Sequence, residues 1–161
     1  MNSGQSLLSI AGIILLSLLS LNVNKDIIQK TLLINSNEVL IGASSVAQAV
    51  IEEIQLKAFD ENTIHKYQKY ESNLCEPDDL GPEYGEYSHN QFDDVDDYNN
   101  YSTSIELEHL GKYDITVKVN YRINMHTEQK SSKQTFVKAI TVEVDNFSLP
   151  NPVKFYQIIG Y

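Results

Sequence analysis

The segment Leu7-Leu-Ser-Ile-Ala-Gly-Ile-Ile-Leu-Leu-Ser-Leu-Leu-Ser-Leu-Asn-Val23 decides how the rest of this chain is read. Only Ser9, Gly12, Ser17, Ser20 and Asn22 interrupt it, and no charged side chain precedes Lys25. A bilayer-spanning helix needs roughly 17–25 mostly apolar residues, so the run is just long enough. A cleaved secretory signal is its first rival. That requires a basic n-region and a small-x-small cleavage site. Here no Lys or Arg stands before the run, and Ser17–Asn24 offers no Ala-x-Ala pattern.

Downstream the pattern changes. From Val39 to Ala58, apolar residues recur at Val39, Ala43, Val46, Val50, Ile54 and Ala58. Steps of three and four place them on one helical stripe. Glu38, Glu52, Glu53 and Lys57 fall off it, and no proline occurs before Pro77. A helix is therefore predicted from about Gln5 to Phe59, on the order of 80 Å long. Its weakest point is Leu33–Asn37, because Asn35, Ser36 and Asn37 all disfavour helix interiors. Gly42 weakens it again. The segment is one long helix with a soft joint, or two helices in series.

Residues 60–103 read as an acidic, irregular connection. Asp60–Leu110 holds 14 of the 22 acids, and its only Lys or Arg residues are Lys66 and Lys69. Pro77, Gly81, Pro82 and Gly85 add turn signals. Six of the ten tyrosines lie here, at Tyr67, Tyr70, Tyr84, Tyr87, Tyr98 and Tyr101. Each offers an apolar ring and a polar tip, and they are the expected anchors of the loop. Residues 104–161 read as sheet. Tyr113, Ile115, Val117, Val119, Tyr121 and Ile123 alternate with polar residues, so one face is buried. Ile140, Val142 and Val144 repeat the pattern after a polar loop at Asn124–Gln134. Ser104–Glu108 and Val153–Ile159 are shorter strand candidates, and short polar loops favour antiparallel pairing.

The fold class is thus α+β: a long N-terminal helix, apolar in its first half and amphipathic in its second, packed on a small antiparallel sheet. The apolar half has nothing left in the chain to cover it, so lipid or copies of itself must do so. The 161 residues and 18.3 kDa suit one domain. Twelve Lys plus Arg against 22 Asp plus Glu give a net charge of −10, which argues against nucleic acid as a partner. One cysteine, Cys75, excludes an intrachain disulfide framework.

This layout resembles the type IV pilin superfamily, which comprises type IV pilins, type II secretion pseudopilins and minor pilins. The resemblance rests first on Gly4 followed by Gln5-Ser6-Leu7-Leu8-Ser9 and the apolar run. It rests also on the helix, amphipathic only in its C-terminal half. Third, Phe92–Tyr101 with Tyr113–Ile123 and Lys138–Val144 look like the acidic loop and paired strands of minor pilins of the mannose-sensitive haemagglutinin and pseudopilin type. The resemblance implies a short leader, residues 1–4, removed by prepilin peptidase between Gly4 and Gln5, with Gln5 as the (often methylated) mature N-terminus. It implies a helix over residues 5–59 whose part at 7–23 first spans the bacterial inner membrane once. The C-terminal domain then lies outside the cytoplasm, and the subunit later joins a periplasmic or extracellular filament. Leu7, Leu8, Ile10, Ile13, Ile14, Leu15, Leu16, Leu18 and Leu19 would form the membrane segment and filament core. The partners implied are other pilin or pseudopilin subunits, prepilin peptidase and inner-membrane lipid, and no enzymatic activity is implied. Ser9 stands where the family usually has a Glu, and Gln5 where it usually has an aromatic. Loss of that Glu is better tolerated in a minor subunit. The alternative is a single-span tether carrying an extracytoplasmic binding domain.

Two further groups carry candidate chemistry. Asp93, Asp94, Asp96 and Asp97 offer hard oxygen ligands at a density that suits Ca²⁺, although the spacing is not that of an EF-hand. The plainer reading is a solvated turn whose carboxylates bond local backbone amides. No other cofactor is implied. His65, His89, His109 and His126 are scattered, with no second ligand at metal spacing. Cys75 sits among acids, which raises its thiol pKa and lowers its reactivity.

Overall fold

The computed structural model describes residues 3–126 and 129–161. One helix, α1, runs Ser3–Gln55, and four strands follow: β1 (Ser102–Leu107), β2 (Gly111–Tyr121), β3 (Val137–Asn146) and β4 (Val153–Gly160). The chain divides into two compact units, Met1–Glu38 and Val39–Tyr161.

The first unit is helical throughout its described residues. Its hydroxyls are accommodated by bonding back to the preceding turn: Ser17 Oγ donates to the Ile13 carbonyl at 2.8 Å, and Thr31 Oγ1 to that of Ile27 at 3.0 Å. Helix continues through the expected joint at Leu33–Asn37, where Ser36 Oγ donates to the Leu33 carbonyl at 3.0 Å. Of the two alternatives, one continuous helix is found. The division between the units nevertheless falls just beyond that polar stretch.

In the second unit, the helical stretch from Val39 lies on the sheet. Val39, Ala43, Val46, Ala47, Ile51 and Ile54 are buried in one cluster with Tyr113, Ile115, Val117, Val119, Ile140, Val142 and Val144. Ala47 and Ile51 complete the stripe, Val50 sits at its margin, and Ala58 lies past the helix end. The sheet is an antiparallel meander in the order β1-β2-β3-β4. Ile115 pairs with Val144, Val117 with Val142 and Val119 with Ile140, so the alternating apolar residues of the two central strands share one face. β1 begins two residues earlier than expected. β2 ends at Tyr121, so Ile123 lies beyond it and is half exposed. Within the loop Asn124–Gln134, Thr127 and Glu128 lie outside the described residues.

The long connection is tied down by some of the expected tyrosines and by residues outside it. Tyr98 is buried and its hydroxyl donates to Glu53 at 2.7 Å, while Tyr101 packs at the margin of the core. Tyr67, Tyr70, Tyr84 and Tyr87 are exposed. Two further rings hold this segment from outside it: Tyr121 of β2 donates to Asp60 Oδ2 and to the Cys75 carbonyl, and Tyr161, just past β4, stacks on Tyr67 and its Oη accepts from the Gln68 amide. Asn99 adds a polar pin, its Nδ2 donating to the Leu80 carbonyl and its Oδ1 accepting from Val119 N–H.

Gly42 is a close-approach position as well as a helix weakener. A Cβ there would stand 2.5 Å from Tyr113 Oη and 3.2 Å from Leu110 Cδ1. Its absence lets the buried Tyr113 ring cross α1 and donate to the Val39 carbonyl at 3.1 Å. Gly→Ala in an exposed helix interior gains up to ~1 kcal/mol. Overpacking a fixed ring costs about 1–3 kcal/mol. Gly42→Ala should therefore destabilise the domain in urea unfolding by about 1 kcal/mol. A net gain would show that Tyr113 is free to move.

Candidate functional site

Leu7, Leu8, Ile10, Ile13, Ile14, Leu15, Leu16, Leu18 and Leu19 all lie on α1 with 54–79 % of their surface exposed. They point around the whole circumference of the helix, as a run without polar phasing must. The most apolar 18-residue window of this helix has a mean hydropathy of 2.2, and none of it is buried within the chain. By length and composition the helix can cross a membrane. Of the expected leader, Met1 and Asn2 lie outside the described residues, while Ser3 and Gly4 already belong to α1. A Cβ at Gly4 or Gly12 would meet nothing within 4 Å.

The acidic loop is built on a short parallel bridge between Ala58 and Asp94. Ala58 N–H donates to the Asp93 carbonyl at 3.0 Å, and Val95 N–H to the Ala58 carbonyl at 2.9 Å. The four aspartates then take different partners. Asp93 is exposed. Asp94 Oδ1 accepts from the amides of Asp96 and Asp97, at 2.8 and 3.2 Å. Asp97 Oδ2 accepts from those of Asp93 and Asp94, at 2.9 and 3.1 Å. Asp96 turns instead towards β3. The four expected calcium ligands are thus not gathered around one point. The turn expected for them forms, with its carboxylates on local amides, but Asp94, Asp96 and Asp97 are buried rather than solvated.

Asp96 reaches Lys138, and here the structure concentrates its charge. The Lys138 ammonium, fully buried, donates to Asp96 Oδ1 at 2.6 Å, to the Phe59 carbonyl at 2.7 Å and to Asp60 Oδ2 at 3.0 Å. The Phe59 and Tyr121 rings stand 4.7 and 5.1 Å from the same nitrogen. Asp60 also accepts from the Tyr121 hydroxyl and the amides of Asn62 and Cys75. Burial alone would raise the Asp60 carboxyl, but the charge and hydrogen bond of Lys138, with help from Tyr121 and Cys75, bring it below the usual range. The Tyr121 phenol and the Cys75 thiol are both pushed well up, by burial first and by the neighbouring carboxylates second. The expectation of an unreactive Cys75 is thus met in direction. Asp60, Cys75 and Asp96 would make a plausible ligand group, yet the ammonium already supplies the cation there.

Among the histidines, His89 lies 3.3 Å from Glu53 and stacks on Tyr101, and His109 sits in a left-handed turn beside β2. Lys138 belongs to no sequence motif. Its signal is phase: it stands two residues before Ile140 on the strand whose even positions face the core, opposite Tyr121. Comparison of the chain with protein-family models, with curated proteins and with solved structures gives no match.

Two outcomes follow from this geometry. Removing one partner of a buried ion network costs about 3–5 kcal/mol because the other charges stay unpaired. Lys138→Met should lose that much in urea unfolding, and adding Asp96→Asn should return part of it. Asp94 behaves in the opposite sense. Burial, then the charge of Asp96 and its hydrogen bond, then Asp97, push its carboxyl up to about 9 against the pull of Lys138. Its unfolded value is near ~3.9, so its stabilising contribution is complete below that pH and is lost as pH rises through about 9. Asp94→Asn, whose Oδ1 keeps both amide bonds, should gain on the wild type steadily between about pH 6 and 9. Parallel stability curves across that window would refute the assignment.

Proposed function

We propose that this chain is a structural, non-enzymatic subunit of a type IV pilus-like or type II secretion pseudopilus-like filament, held in the bacterial inner membrane before assembly. The observation that carries the reading is the change of character along one helix. Up to Val23 it is apolar on every side and uncovered, and from Val39 it lays a stripe on an antiparallel sheet. A plain anchor has no need of such a continuation. A subunit that moves from lipid to a bundle of like helices needs both halves, one to exchange environments and one to fix the globular part.

In this reading prepilin peptidase cuts between Gly4 and Gln5, and Leu7–Val23 keeps the subunit in the membrane with its sheet domain outside the cytoplasm. On assembly the apolar half packs against neighbouring subunits, worth about 25 cal/mol for each Å² of apolar surface kept from water. Ser6, Ser9, Ala11, Gly12, Ser17 and Ser20 are small enough to allow close helix approach. Ser9 in place of the usual carboxylate leaves no charge to neutralise a neighbour's N-terminal amine, which favours a minor or specialised position.

Intact mass and N-terminal sequencing of protein from its native cells test the proposal. A start at Gln5 supports it. A start at Met1 favours the tethered binding domain, and a start beyond Val23 marks a cleaved signal. Insertion provides an independent check. Each Leu or Ile favours a spanning helix by ~0.3–0.6 kcal/mol, and an Asp at its centre opposes it by ~2.5–3.5 kcal/mol. The pair Ile13→Asp and Leu16→Asp together should release the protein to the soluble fraction and abolish filament incorporation. Unchanged filaments in that variant would overturn the proposal.

A further inference from the structure

Asp97 turns its second oxygen away from the loop amides. That oxygen, Oδ1, is buried and finds no hydrogen-bond donor among the described residues, and the residue is 1 % exposed. Oxygens of Asp97, Glu83 and Glu86 lie within 4.8 Å of one another. Glu83 Oε2 is buried and without a donor as well. Glu86 Oε2 accepts from the Glu83 amide at 3.1 Å, and Glu86 N–H donates to the Glu83 carbonyl at 3.1 Å, so a tight turn presents both side chains. Gly85 within it has φ +118°, a conformation that favours glycine. Glu61 adds a fourth acid within electrostatic range of Glu86 and Asp97.

Among the described residues no Lys or Arg pairs with Glu83, Glu86 or Asp97, and His65 acts only on Glu61. Lys138 is spent on Asp60, Asp96 and the Phe59 carbonyl, and Lys57 on the Phe92 carbonyl. A buried carboxylate oxygen without a donor is costly, and two such oxygens side by side repel. Either a proton or an external cation relieves this. A proton that Glu83 donates to its carboxylate neighbours is the first answer. The donor set is the cationic one: carboxylate oxygens without nitrogen or sulfur suit a hard cation such as Ca²⁺ better than Zn²⁺.

We propose that Glu83, Glu86 and Asp97 bind one calcium ion, which fastens the turn at residues 81–86 to the buried loop Asp93–Asp97. This does not rest on the filament reading. It relocates the acidic site from the four aspartates of residues 93–97 to one of them and two glutamates earlier in the chain.

The test is calcium titration of the full chain in detergent micelles by calorimetry, with Tb³⁺ as an optical probe. The chain has no Trp, and the exposed Tyr84 and Tyr87 beside the turn can sensitise Tb³⁺ emission. The expected result is one saturable Ca²⁺ site, Tb³⁺ emission displaced by Ca²⁺, and a rise in Tm that EDTA reverses. Glu83→Gln with Glu86→Gln should lower the affinity at least about tenfold. In EDTA that variant should unfold no earlier than the wild type, because its repulsion is gone. Asp93→Asn, which alters an exposed acid of the same loop, should bind like the wild type. Asp97→Asn alone is unsuitable, because its Oδ2 also holds two loop amides. Absence of saturable binding at about 10 mM Ca²⁺, ten times the weak limit of ~10⁻³ M for extracellular calcium modules, would overturn the proposal. So would undiminished binding by the double Gln variant.

Discussion

The Lys138 ammonium is the point from which the globular unit is organised. It belongs to β3, yet its three acceptors come from Phe59, Asp60 and Asp96, in the stretch that leaves α1 and the loop that approaches β1. Without it, two carboxylates and a carbonyl would face a dry interior, where unpaired charge is far more costly than at the surface. With it, one cation draws the exit of α1, the acidic loop and the central strand together. Tyr121, on the neighbouring strand, extends the tie to Cys75. An apolar core can slide, because its attraction has no direction. Three short hydrogen bonds on a single nitrogen leave far less freedom.

Much of the fold was legible in the sequence because it is periodic. The alternation from Tyr113 to Tyr121 and from Ile140 to Val144 named the buried sheet face, and the steps from Val39 to Ile54 named the helix stripe that covers it. What has no period was not legible. Asp60 and Asp96 meet Lys138 across 78 and 42 residues, and no local pattern encodes a pairing of that span. Phase alone marks Lys138, as a charge standing where an apolar residue is expected. The aspartate cluster suggested a solvated turn, because like charges usually seek water. It is buried because each of Asp94 and Asp97 spends an oxygen on two backbone amides. The tyrosines misled for a related reason. Composition placed six in the loop, while two of the strongest anchors, Tyr121 and Tyr161, lie outside it.

The two units of the chain answer to different solvents. Val39–Tyr161 buries its apolar stripe and pairs its central strands within itself. The described side chains of the first unit do neither, since its helix satisfies the backbone and leaves residues such as Leu7, Ile13, Leu16 and Ile27 outward. Such a helix is stable in lipid, where internal backbone hydrogen bonding is the governing demand, and among like helices, where shape is. The proposed route from membrane to filament uses both environments. The polar stretch ending at Asn37 falls next to the division between the units, where neither environment makes a strong demand.

The meander order has a consequence in time. The helical stripe ending at Ile54 is made long before the strand that covers it: Val144 lies some 90 residues further along. At about 5–20 residues per second, the stripe waits several seconds to nearly twenty for its partner. Asp60 and Asp96 wait too, as ordinary hydrated acids, until Lys138 emerges. By then the N-terminal run, long and apolar enough to cross a bilayer, is already made. In the proposed membrane-held subunit, the sheet would then assemble onto a helix whose N-terminal end is already anchored.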